Sequence, residues 1–148
     1  MDANLVIYSA VTLVLLYGLA LKLAPVLPVP DTACQVGYVY DGDTVEMLCG
    51  AQELTARLVG FDTPETKEPR CPEEYALGKQ ATERLRGLVK QGRVTLFRQG
   101  YDKYGRALVR MAINGRDVAE TLVGEGLAVP YRGGRRIDWC ARIGGADG

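Results

Sequence analysis

Histidine is missing from all 148 residues. Its absence excludes Ser-His-Asp triads, histidine general bases and the usual zinc centres. Aromatic residues are sparse, at 7%. Positive charge is not in excess either, since 18 Lys and Arg balance 18 Asp and Glu. Both facts count against a module that binds a polyanion by bulk charge and stacking alone. The sequence also lacks internal repeats and low-complexity tracts. Any catalysis must therefore rest on carboxylates, arginines, tyrosines, a lysine or a hard metal ion.

What remains is enough for one domain with a core, at 47% hydrophobic residues. The balanced charge is unevenly placed. Residues 31–78 hold three basic and ten acidic residues, whereas 79–148 hold fourteen basic and seven acidic. An acidic half beside a basic half suits a site that holds a cation and a polyanion together. Two solvated faces would give the same tally.

The chain divides at about residue 30. Leu5 to Leu21 carries no charge and, with Lys22 snorkelling, extends to Ala24. This predicts a transmembrane helix over about 5–24, followed by a stiff linker at Pro25, Pro28 and Pro30. A cleaved signal peptide and secretion are the alternative, but Met1-Asp2-Ala3-Asn4 lacks a basic n-region. Lys22 favours a cytoplasmic domain, whereas the four cysteines favour an oxidising compartment. Cys34 and Cys49 flank the Asp41-Gly42-Asp43 turn nearly symmetrically, so a hairpin there would bring them within reach of a disulfide. Cys71 and Cys140 would then form the second pair. The domain, residues 31–148, is accordingly expected outside the cytoplasm.

Cys34 to Tyr40 alternates, with Val36, Tyr38 and Tyr40 on one face, and reads as a strand. Thr44 to Leu48, Leu54 to Val59, Arg93 to Arg98 and Arg106 to Ile113 read as four more, with a loop over Gln99 to Gly105. Ala76 to Lys90 has helical spacing, and Asp117 with Glu120 opens a short helix through Val123. Five short strands with inserted helices fit a small closed barrel of the OB-fold type.

Three clusters carry candidate chemistry. They are Asp41-Gly42-Asp43-Thr44, the run from Arg57 through Asp62-Thr63-Pro64-Glu65-Thr66, and Asp102-Lys103-Tyr104-Gly105-Arg106. Taken singly they are turns and a charged loop. Together they suggest more, because Asp43 and Asp62 at strand ends could meet at one barrel rim. Two carboxylates with the Thr63 carbonyl and water make a hard oxygen site suited to Ca²⁺. Glu65 could hold a water beside it, and Arg57 and Arg106 offer planar forks for phosphate oxygens. Such a set can hydrolyse a phosphodiester.

These motifs, in this order and spacing, resemble the staphylococcal nuclease (thermonuclease) family from about Val36 to Tyr131. The resemblance implies an OB-fold barrel and Ca²⁺-dependent cleavage of DNA and RNA to 3′-phosphate ends. It implies Asp43, Asp62 and Thr63 as metal ligands, with Asp41 in the outer shell, and Arg57, Glu65 and Arg106 as the catalytic trio. It leaves open whether Glu65 is a true general base. Lys103 and Tyr104 match positions beside the bound nucleotide, and Tyr131 matches a tyrosine of the base pocket. The chain departs from the family at the N-terminal anchor and in its short C-terminal tail, where a Cys71–Cys140 bridge would replace lost packing. A non-catalytic module binding single-stranded nucleic acid is the alternative function. No obligate protein partner is implied.

Overall fold

The computed structural model describes residues 3–23 and 30–145, and, within its first helix, the side chains of residues 7–19. That helix, α1, spans Ala3–Leu23. Among the described residues no helix is long and apolar enough to cross a membrane. The expected transmembrane helix is thereby corrected. Residues 7–19, the part of α1 whose side chains are described, are not uniformly apolar. They include Tyr8, Ser9, Thr12 and Tyr17, and the Thr12 hydroxyl donates back to the carbonyls of Tyr8 (3.0 Å) and Ser9 (2.9 Å). An uncharged run is therefore not the same thing as a uniformly apolar one. Pro25 and Pro28 of the expected linker lie outside the described residues.

The body of the protein is a curled mixed sheet. β1 (Cys34–Val39), β2 (Thr44–Cys49) and β3 (Gln52–Leu58) form an antiparallel meander. After the short β4 (Gly60–Asp62) comes α2 (Pro72–Gln91). The chain then makes β5 (Val94–Tyr101), β6 (Ala107–Ile113), β7 (Arg116–Asp117) and α3 (Val118–Gly124), and ends in β8 (Val129–Tyr131) and α4 (Trp139–Gly144). The main sheet runs β1-β2-β3-β6-β5, with β7 against β6. β3 and β6 are parallel, with Arg57 opposite Leu108. The outer strands curl towards each other. The Asp31 amide donates to the Leu96 carbonyl at 2.7 Å, and Arg98 reaches both Asp31 at 2.8 Å and the Cys34 sulfur at 3.2 Å. The five expected strands are present, and the OB-fold reading fits this half-barrel with helices. The separate β4–β8 pair and β7 were not anticipated, because two- and three-residue strands leave no periodicity to read.

Val45, Met47, Ala56, Leu58, Leu96, Val109 and Met111 fill the concave side, and Leu85 of α2 and Leu122 of α3 close it. Each large side chain fully buried here stabilises by roughly 1.5–3 kcal/mol. α2 buries positions 74, 78, 81 and 85, a stripe at helical spacing. The expectation that Val36, Tyr38 and Tyr40 share a face fails. A bulge between Val36 and Val39 shifts the register, so Cys34 and Val39 turn inward while Tyr38 and Tyr40 face solvent. Glu46 holds the bulge by accepting from the Tyr38 amide at 3.1 Å. A Cβ at Gly37 would meet that carboxylate at 2.2 Å, so glycine fits there.

Both expected disulfides are present. Cys34–Cys49 joins directly opposed residues of β1 and β2 with Cα atoms 4.1 Å apart. Cys71–Cys140 ties the start of α2 to α4.

Candidate functional site

The site is assembled where β2, β3, β4 and β6 meet. Thr44 pairs with Arg57 in the β2–β3 register, which sets Arg57 beside Asp43 in the β1–β2 turn. The Asp43 amide donates to Asp41 Oδ1 at 3.0 Å, a local bond that shapes such turns. Past β3, Gly60 adopts φ +99°, a conformation glycine takes without strain. That kink swings the chain from the main sheet into β4, which pairs with β8 and ends on Asp62 opposite Val129. Asp43, Asp62 and Thr63 are almost wholly buried, at 2%, 1% and 2% exposure.

Buried charge is matched by hydrogen bonds and counter-charge. Asp43 Oδ2 accepts from the Thr63 amide (3.2 Å) and hydroxyl (3.1 Å), and Oδ1 accepts from the Thr44 hydroxyl at 3.0 Å. Arg57 divides its two terminal nitrogens between Asp43 and Asp62 Oδ1, the latter at 3.0 Å. Its fork therefore faces carboxylates. Burial pushes the Asp43 carboxyl up to about 7, with Arg57 pulling it down and Asp41 and Asp62 adding repulsion. A buried Asp43 carboxyl that resists ionisation is one that an additional cation would relieve.

Arg106 immediately precedes β6, whose first residues lie against Ala56 and Arg57 of β3. Asp102 holds it by accepting from Nε at 2.8 Å and from the amide at 3.0 Å. Burial works to raise the Asp102 carboxyl, but these bonds and the Tyr104 amide hold it below the ordinary carboxylate range. The Arg106 guanidinium and the Lys103 ammonium both lie over the Tyr104 ring, at 5.7 and 5.0 Å from its centre. Tyr131, at the end of β8, donates its hydroxyl to the Gly134 carbonyl at 2.7 Å.

One cleft of about 1030 Å³ is lined by Asp41, Asp43, Arg57, Thr63, Glu65, Lys103, Tyr104, Arg106 and Tyr131. Every candidate residue expected from the sequence thus reaches one space, except Asp62, which lies beneath its wall. Arg106 sits on the same cleft as the acidic rim but contacts Asp102 rather than the central carboxylates.

The family model for "Staphylococcal nuclease homologue" matches residues 55–138, more than half of the chain. The chain belongs to the staphylococcal nuclease family. Among curated proteins it is similar to Endonuclease YncB of Bacillus subtilis (strain 168), 42% identical over 92 residues, which cover 60% of this chain and 43% of that protein. It is also similar to SPbeta prophage-derived endonuclease YokF of the same organism, with 42% identity over 92 residues, 60% of this chain and 30% of the relative. Protein ParB of Escherichia coli is 32% identical over 107 residues, covering 66% and 56%. The chain therefore spans less than half the length of the two Bacillus relatives. The match begins at Thr55, so Asp41 and Asp43 precede it. Strand pairing is what joins them to the family's core.

Three residues of the site escaped the sequence reading. Arg136, from the loop between β8 and α4, places its guanidinium against Glu65 Oε1, the Thr63 carbonyl (2.9 Å) and Asp62 Oδ1 (2.6 Å). Burial acts against its charge, but Glu65 and Asp62 outweigh burial and hold it firmly protonated. Trp139 donates its indole N–H to Asp62 Oδ2 at 3.1 Å. Glu74, buried in the first turn of α2, accepts from the amides of Glu65 (3.3 Å) and Arg70 (2.7 Å), holding the loop that carries Glu65. Arg136 and Trp139 lie more than 70 residues from the groups they touch, and no local motif marks them. The one available signal was the basic run Arg132-Gly133-Gly134-Arg135-Arg136 beside the only tryptophan.

Proposed function

We propose that the chain is a calcium-dependent nuclease that hydrolyses phosphodiester bonds of DNA, RNA or both in this cleft. The observation that carries the reading is the gathering of Asp43, Glu65 and guanidinium groups on one cleft of about 1030 Å³, with buried Asp62 paired to Arg57 and Arg136 beside it. Family membership and the endonuclease names of the Bacillus relatives support it. The donor set fits a hard cation in kind, since the carboxylates of Asp43 and Asp62 and the Thr63 carbonyl offer only oxygen. Those three would hold Ca²⁺, with Asp41 outside them. When bound, the ion supplies positive charge to a phosphoryl oxygen.

The chain's own residues do the rest. Glu65 orients a water for attack on phosphorus and takes up its proton. Arg106 donates to the phosphoryl oxygens as charge builds on five-coordinate phosphorus. Lys103 and Tyr104 flank the strand. Water oxygen bonds to phosphorus as the P–O5′ bond breaks, leaving a 3′-phosphate, and the departing O5′ takes a proton from solvent to become a 5′-hydroxyl. The two disulfides further support action outside the cytoplasm, in an oxidising compartment.

Incubating the chain with single-stranded DNA in Ca²⁺ or in excess EGTA tests the reading, with end-group analysis of the products. Cleavage should need Ca²⁺, leave 3′-phosphates and vanish in Asp43→Ala. Binding without cleavage would instead favour a non-catalytic module. Cleavage persisting in chelator would remove the metal assignment.

A further inference from the structure

We propose that Arg136 is a built-in counter-cation of the acidic centre, which a divalent ion must displace from Asp62 and Thr63, so that this side chain sets the site's affinity for metal. The inference rests on the assignment of Asp62 and Thr63 as ligands. One guanidinium engages the Asp62 carboxylate, the Thr63 carbonyl and the Glu65 carboxylate together. Two of these are the oxygens a hard cation would take, and the third belongs to the residue placed beside it. A guanidinium and a divalent ion cannot share those lone pairs, because each needs the space the other fills and their charges repel.

Two further observations mark Arg136 as displaceable. The side chain is 34% exposed and lines the cleft, so it can leave without crossing the core. Its loop contains Gly133 and Gly134 at φ +95° and +91°, where no side chain restrains reorientation. By contrast, Arg57 is only 14% exposed and rises from a paired strand, so it is the fixed counter-charge of the pair.

The test is calorimetric titration of the full chain with CaCl₂, for the native protein, Arg136→Gln, Arg136→Lys and Asp43→Asn, with melting temperatures measured in EGTA and in Ca²⁺. Removing the competitor raises the fraction of binding-competent protein, so Arg136→Gln should bind Ca²⁺ on the order of tenfold more tightly. It should melt lower in EGTA, and the rise in melting temperature on adding Ca²⁺ should be larger than for the native protein. Arg136→Lys, which keeps the charge but cannot bridge three oxygens, should fall between. Unchanged or weaker Ca²⁺ binding in Arg136→Gln would overturn the inference and leave Arg136 as a brace, with the metal reading intact. Heat that survives Asp43→Asn, or no heat in any protein, would remove the metal site itself and this inference with it.

Discussion

Glu65 is the residue whose surroundings best separate chemistry from stability. Its side chain is 36% exposed and its carboxylate pairs with Arg136, while its amide is held separately by Glu74. Replacing the carboxylate by an amide of the same shape should therefore leave the fold in place. Glu65→Gln is expected to lower kcat on the order of 10²–10³-fold with little change in melting temperature. Arg106→Ala should cost a similar factor, with a smaller effect on KM, because its guanidinium is held over the cleft by Asp102 rather than buried in structure. Steady-state cleavage assays beside thermal melts check both. If neither substitution slowed cleavage, the chemistry would have to reside elsewhere.

At the level of elements, α2 does more than cover the sheet. Its buried stripe includes Gly78, where a Cβ would lie 2.7 Å from the Pro64 carbonyl and 3.1 Å from that of Glu65. Both contacts are with backbone, so neither can swing aside. Gly78→Ala should push the 63–66 loop off Asp43, destabilise by about 1–3 kcal/mol and reduce kcat by more than that loss of folded protein explains. Denaturant unfolding and activity at full folding distinguish the two effects. The helix itself was legible from its 3.6-residue spacing, but this role was not. Close approach of a glycine to a loop 14 residues earlier leaves no mark in periodicity. The same holds for the bulge in β1, which turns Tyr38 and Tyr40 outward against the simple two-residue alternation.

Over the whole molecule, the Cys71–Cys140 bridge has the largest reach, with a sequence separation of 69 against 15 for Cys34–Cys49. It fixes α4, and α4 begins with Trp139, which bonds Asp62. The double variant Cys71→Ser with Cys140→Ser should lose about 2–4 kcal/mol of stability and also activity at temperatures where it stays folded. The Cys34→Ser, Cys49→Ser pair should lose stability with less effect on rate, since β1 and β2 remain paired through their hydrogen-bonded register. Urea unfolding of both variants, paired with cleavage rates, decides. Equal rate losses would show that the tail is not coupled to the site.

Local patterning determined the five main strands, α2 and α3, the hairpin disulfide and the acidic and basic residues of the cleft. Each is set by spacing within a few residues of chain, where alternation, turn chemistry and charge act directly. Folding in three dimensions decided which charges became neighbours. It aimed Arg57 at two carboxylates, brought Arg136 and Trp139 from the far end of the chain onto Asp62, and split β4 and β8 from the main sheet. It also left no helix, among the described residues, long and apolar enough to cross a membrane. The reason is physical: buried charge is stabilised by whichever partners barrel closure brings within a few ångströms, and sequence distance does not limit that choice.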